Sequence, residues 1–181
     1  MRSLRLTAHF HRLDSFEGKL CLPCNQFARF PAVRAYFKTV GRLGDGLIWY
    51  SMLLALPLIY GGAAIGPSVH MAATALLGVA IYKLLKSSLL RERPFASHAE
   101  LTAVSPPLDR YSCPSGHTLQ AILFLVMLNA YFPALALIML PFCLSVAASR
   151  VILGLHYPSD VLAGALIGWL IARFSLYLIP A

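Results

Sequence analysis

The sequence predicts an all-α fold: a polytopic membrane helical bundle of about five transmembrane helices, preceded by an N-terminal interfacial amphipathic segment. Three observations lead there. Of the 181 residues, 59% are hydrophobic and only 12% charged, with a mean hydropathy of +0.71, whereas a soluble domain carries roughly 25% charged residues. The apolar residues gather in stretches close to the roughly 20 residues a helix needs to cross the hydrocarbon core. Fifteen Lys and Arg stand against seven Asp and Glu, for a formal charge of +8, which asks for an anionic partner surface. In so apolar a chain that partner is lipid headgroup or phosphate, and no nucleic-acid partner is expected. Four scattered cysteines are too few to staple a disulfide scaffold.

The elements follow in chain order. Arg2 and Arg5 precede apolar residues, but His9, His11 and Arg12 interrupt the run, so no signal-peptide core is expected and the segment reads as mature. Residues 1–42 hold eight of the fifteen basic residues. After Pro31, a favourable first helical residue, Val33, Tyr36, Phe37 and Val40 recur at helical spacing, while Arg34, Lys38 and Arg42 lie four apart on another face. That pattern predicts a helix lying on a bilayer with anionic lipids; a solvated basic tail is the plainer alternative. Cys21 and Cys24 form a C-x2-C that His9 and His11 precede, but a small zinc module offers better-matched ligand pairs. Two small apolar residues at the membrane surface account for them, and no metal is expected. The remainder, residues 43–181, is the transmembrane domain. Its spans are expected at 47–66, 69–85, 118–131, 134–153 and 161–179, with the turn between the third and fourth near Pro133. Lys83, Arg150 and Arg173 are the ionisable residues inside them, costly in lipid and therefore functional candidates.

The chemistry-bearing residues fall in three groups. Lys86 and Arg93 are seven apart, two helical turns, so both can face one point before Pro94 ends the helix and make an anion site; alone, they equally suit the basic flank of a membrane helix. Cys113-Pro114-Ser115-Gly116-His117 runs directly into an apolar helix. Ser115 there is a candidate N-cap, the freed N–H groups attract phosphate, Gly116 permits close approach, and His117 adds a proton donor. Ser149, Arg150, His156 and Asp160 form the third group. His156 and Asp160 are four apart at the start of a helix, so the carboxylate can approach the imidazole, fix its tautomer and leave the other nitrogen as nucleophile or base.

Eleven specified positions in order make chance negligible, and the sequence resembles the type 2 phosphatidic acid phosphatase superfamily, the lipid phosphate phosphatases related in site design to vanadium haloperoxidases. The resemblance rests on Lys86-x6-Arg93-Pro94, Pro114-Ser115-Gly116-His117 and Ser149-Arg150-x5-His156-x3-Asp160, and spans about residue 40 to the C-terminus. It implies a lipid phosphatase needing neither metal nor cofactor. His156 would attack phosphorus to form a phosphohistidine and Asp160 would orient it. His117 would protonate the leaving oxygen and then activate water. Lys86, Arg93 and Arg150 would hold the phosphoryl oxygens, with Ser115 and the Gly116 amide as further donors. Such a division suits phosphoryl transfer, where positioning and charge stabilisation supply most of the catalysis.

The implied substrate is a lipid phosphomonoester or diphosphate: undecaprenyl diphosphate, phosphatidate or phosphatidylglycerophosphate. Transfer to an acceptor other than water, and non-enzymatic binding of anionic lipid, are the competing readings. The expected location is a bacterial inner membrane. Relatives commonly have six spans where five are counted here, and the basic N-terminus then argues for a cytoplasmic site, whereas many bacterial relatives face outward.

Overall fold

A computed structural model of the chain describes residues 2–181, with side chains from Leu13 onward. The side chains of Arg2, Arg5, His9, His11 and Arg12 therefore lie outside the described residues. All regular structure among the described residues is helical. The order is α1 (Arg2–Gln26), α2 (Pro31–Arg42), α3 (Ile48–Tyr60), α4 (Ile65–Leu89), the short α5 (Pro94–Ser97), α6 (Gly116–Tyr131), α7 (Pro133–Ile152) and α8 (Pro158–Leu178). Prolines open α2, α5, α7 and α8, where the missing N–H would have had no intrahelical partner anyway. A π-type turn at Leu43–Leu47 joins α2 to α3, and Gly46 there takes a φ of 147°, a conformation closed to most other residues.

The apolar stretches seen in the sequence correspond to α3, α4, α6, α7 and α8. Three helical runs are long and apolar enough to cross a membrane by length and composition: Pro31–Ser97, Pro133–Ile152 and Pro158–Leu178; α6, at Gly116–Tyr131, is apolar but shorter. Their outward residues Leu54, Leu58, Leu76, Leu137, Ile138 and Leu162 are all exposed, as lipid-facing side chains are. The chain is an integral membrane protein.

The core centres on α6, whose Leu119, Ala121, Leu123, Phe124, Met127 and Leu128 are buried. Trp49 of α3 stacks on Phe124 with ring centroids 4.8 Å apart. The tightest contact is α6 against α8. A Cβ at Gly164 would meet the Ser115 carbonyl oxygen at 2.4 Å, and one at Gly168 the Leu119 oxygen at 2.3 Å. Small residues four apart let the two backbones touch, which drives helix pairing in lipid where apolar burial cannot. This contact also sets the N-termini of α6 and α8 side by side, with Ser115 N donating to the Asp160 carbonyl at 3.0 Å.

The basic N-terminal region is more integrated than its composition suggests. Phe16 on α1 is 62% exposed, with Leu13 and Leu20 exposed beside it, whereas Glu17 is only 4% exposed. Cys21 is fully buried against Leu101 and Tyr157, and Asn25 donates to Thr102 O at 3.1 Å and Ile152 O at 3.0 Å. One side of α1 is thus packed on the loops that carry the chemistry. No break in packing marks residue 42, because α2 runs through the π-turn into α3 and packs on α7.

Candidate active site

The three motif groups converge at one end of the bundle. Lys86 sits in the last turn of α4, which Leu90 ends in the left-handed region at φ 52°. The chain then extends to Arg93, whose Nη1 donates to Leu155 O at 2.7 Å and lies 3.3 Å from His156 Nε2. His156 belongs to the tight turn between α7 and α8. Its N–H and that of Leu155 both donate to Arg150 O at 3.0 Å, which ties the backbones of Arg150 and His156 together. Gly154 makes that turn with φ 73°, at a place where a Cβ would come 2.7 Å from Thr102 O.

The two central histidines face different carboxylates. His156 Nδ1 lies 3.7 Å from Asp160 Oδ2, longer than a hydrogen bond, and makes no other bond. Asp160 is itself fully engaged: Oδ2 accepts from Tyr157 N at 2.9 Å and from Ser112 Oγ, and Oδ1 accepts from Arg91 Nη1 at 2.6 Å. Burial pushes the His156 imidazole down to about 3, with Arg93 nearby acting the same way against the opposing pull of Asp160. It is therefore neutral at physiological pH. His117, in the first turn of α6, bonds through Nε2 to Asp45 Oδ1, a residue delivered by the π-turn.

The cations are arranged unequally. Asp109 accepts from Lys86 Nζ at 2.7 and 2.8 Å and from Arg93 Nη2 at 2.7 Å. Burial would raise its pKa, but the two cations outweigh it and hold the carboxyl below the usual range. Arg150 is buried, its Nε donating to Ser149 Oγ at 2.9 Å, and among the described residues no carboxylate lies within ion-pair distance. Gly41 of α2 makes room for it, since a Cβ there would stand 2.3 Å from its Nη2. Ser115 takes the N-cap position expected of it, accepting from Thr118 N at 3.4 Å, and its hydroxyl also pairs with Thr118 Oγ1 at 3.0 Å. Gly116 lies under the Tyr82 ring, 3.2 Å from where a Cβ would be.

A cavity of about 430 Å³ opens on this cluster. Lys86, Arg93, His117, Arg150 and His156 line it together with the apolar Leu53 of α3 and Leu76 and Val79 of α4. Of the candidate site residues, Lys86, Arg93, Gly116, His117, Arg150 and His156 border it, whereas Ser115, Ser149 and Asp160 are buried behind them. Asp45, Asp109, Arg91 and Ser112 went unrecognised. Only Asp45 carried a local signal, an acid two residues ahead of an apolar stretch and flanked by glycines.

The PAP2 superfamily model matches residues 67–181. The chain belongs to the PAP2 superfamily. Among its relatives, the decaprenylphosphoryl-5-phosphoribose phosphatase of Mycolicibacterium smegmatis is 36% identical over 94 residues, 51% of this chain and 49% of that protein, so the match spans about half the length of that relative. The undecaprenyl-diphosphatase BcrC of Bacillus subtilis is 29% identical over 139 residues, 74% of this chain and 72% of its own. Aquifex aeolicus LpxE superposes with a TM-score of 0.75 at 25% identity, covering 88% of this chain and 93% of that one. A transmembrane PAP2-type phosphatidylglycerolphosphate phosphatase from Bacillus subtilis has the same fold, with a TM-score of 0.78 at 21% identity over 97% of this chain and 91% of its own. The PAP2 match begins inside α4, so α1 to α3, with Asp14, Glu17 and Asp45, lie outside it.

Proposed function

We propose that this PAP2 protein hydrolyses a phosphomonoester or diphosphate of a membrane lipid through a phosphohistidine on His156, with no metal or cofactor. One observation carries the reading: a neutral, buried His156 and three cations line a cavity whose wall also includes the apolar Leu53 of α3 and Leu76 and Val79 of α4. A phosphate with a lipid tail fits that combination of cationic and apolar lining. In the first step His156 Nε2 forms a bond to phosphorus and the ester P–O bond breaks, its oxygen taking the proton from His117. In the second, His117 removes a proton from water, which attacks phosphorus and releases phosphate and the free imidazole. Lys86, Arg93 and Arg150 stabilise the charge on the equatorial oxygens, and the Gly116 amide at the start of α6 adds a donor.

The substrate class we favour is a polyprenyl phosphate or diphosphate, since two relatives are named for such lipids; phosphatidate and phosphatidylglycerophosphate are the competitors. We place the protein in a bacterial inner membrane, with residues 1–42 at the headgroup level, where the exposed Phe16, Phe27, Phe30 and Tyr36 alternate with Lys and Arg. The test is phosphate release by purified protein in detergent with EDTA present, across the three lipids and with His156→Ala alongside. Release that survives EDTA and disappears in the variant supports the reading. Undiminished release by His156→Ala refutes it.

A further inference from the structure

Arg91 belongs to none of the recognised motifs, yet it is among the most heavily engaged side chains near the site. It is buried, with its guanidinium carbon 4.2 Å from the Tyr157 ring centroid. Its Nη1 donates to Asp160 Oδ1 at 2.6 Å and to Ser159 Oγ at 2.7 Å. On its other side it donates to α1: Nε and Nη2 reach Asp14 Oδ1 at 2.9 and 2.6 Å, and Nη2 reaches Glu17 Oε2 at 2.6 Å. Glu17 then closes the circuit on the first turn of α8. Its Oε1 accepts from Ser159 N at 2.7 Å and its Oε2 from Ser159 Oγ at 2.6 Å.

Among the described residues, three carboxylates pair with this one buried guanidinium. Such a cluster is a poor source of net stability, because desolvation offsets the attraction. What it does achieve is geometric. Asp160 Oδ1 is fixed by Arg91, the neighbouring Ser159 is clamped by Glu17, and Asp160 Oδ2 stands 3.7 Å from His156 Nδ1. The N-terminal helix thereby reaches the nucleophile through two side chains.

We propose that Asp14 and Glu17 of α1 are positioning residues for catalysis: by holding Arg91 and Ser159 they set Asp160, and through it the orientation of His156. The inference rests on the proposed nucleophilic role of His156. It makes α1 a working part of the site, where its composition suggests only a membrane-surface attachment.

The experiment uses the full-length protein in detergent and whichever of the three lipids the wild type hydrolyses fastest, with kcat, KM and thermal unfolding measured together. Glu17→Gln and the Asp14→Asn/Glu17→Gln pair keep shape and remove charge. Their kcat should fall between about tenfold and about a hundredfold, the range for displacing a reacting group by an ångström or so. KM should stay within about twofold, since Lys86, Arg93 and Arg150 are untouched. In an Asp160→Asn background the same changes should cost less than about twofold more, because residues acting through one another are non-additive. Ser159→Ala, which removes one anchor and no charge, is the gentler variant should the pair not fold, and lowers kcat in the same direction. Unchanged kcat, or full additivity with Asp160→Asn, overturns the inference while a dead His156→Ala leaves the underlying reading intact. An active His156→Ala overturns both.

Discussion

At the scale of single residues, the site sets two carboxylates to opposite uses. Asp45 faces a histidine, whereas Asp109 faces cations. Removing Asp45 leaves His117 without the acceptor that fixes its ring, so Asp45→Ala should lower kcat by about tenfold to a hundredfold, part of the range attributed to general acid–base catalysis; single-turnover kinetics would show it in the chemical steps. Asp109 occupies the donors a phosphate needs, and substrate must displace it or share them. Asp109→Asn should therefore lower KM severalfold, and a raised KM would mean that the carboxylate organises the cations. His156 makes a third expectation. Its pKa is 6.5 in the ordinary state and about 3 when folded, so between those values the unfolded chain binds the proton and the folded one does not. Stability rises with pH across that window and is lost as pH falls below 6.5. The unfolding temperature should drop on acidification, and less steeply in His156→Gln.

At the scale of elements, the α6–α8 contact joins packing to chemistry. One partner carries His117 and the other Asp160, and the glycines at 164 and 168 set their separation. Gly164→Val puts branched carbon where the Ser115 carbonyl stands, and overpacking of this kind costs about 1–3 kcal/mol or more. Thermal unfolding in detergent should fall and activity with it. The helices themselves were legible in sequence because apolar runs, prolines at first turns and the Ser115 cap are local signals. So were the motifs, whose members lie within eleven residues of one another. The partners that tune them were not. Asp45 and His117 are 72 residues apart, Arg91 and Asp160 are 69, and Glu17 and Ser159 are 142, and no local pattern encodes contacts made only by folding. Alpha-helical periodicity also said nothing of the packed side of α1, because its residues 14, 17, 21 and 25 mix acid, thiol and amide.

At the scale of the whole molecule, the charge of +8 is distributed so that its two parts act differently. Lys86, Arg93 and Arg150 in the cavity are buried, and in the proposed reading they meet phosphate where salt screens them little. Those on α2 are outside: Arg34 is exposed and Lys38 half-buried, on a helix whose Tyr36 also faces outward. Each Lys or Arg near an anionic membrane surface contributes about 1 kcal/mol of attraction that decays over a Debye length. Arg34→Gln/Lys38→Gln should thus leave turnover in neutral detergent micelles unchanged within about twofold. In vesicles rich in anionic lipid the same variant should show a higher apparent KM and a flatter dependence on salt than the wild type, because fewer surface charges remain to be screened. An equal salt dependence in both proteins would move the attraction to anionic surface away from α2, and would leave its basic face without a role in bringing lipid phosphate to the cavity.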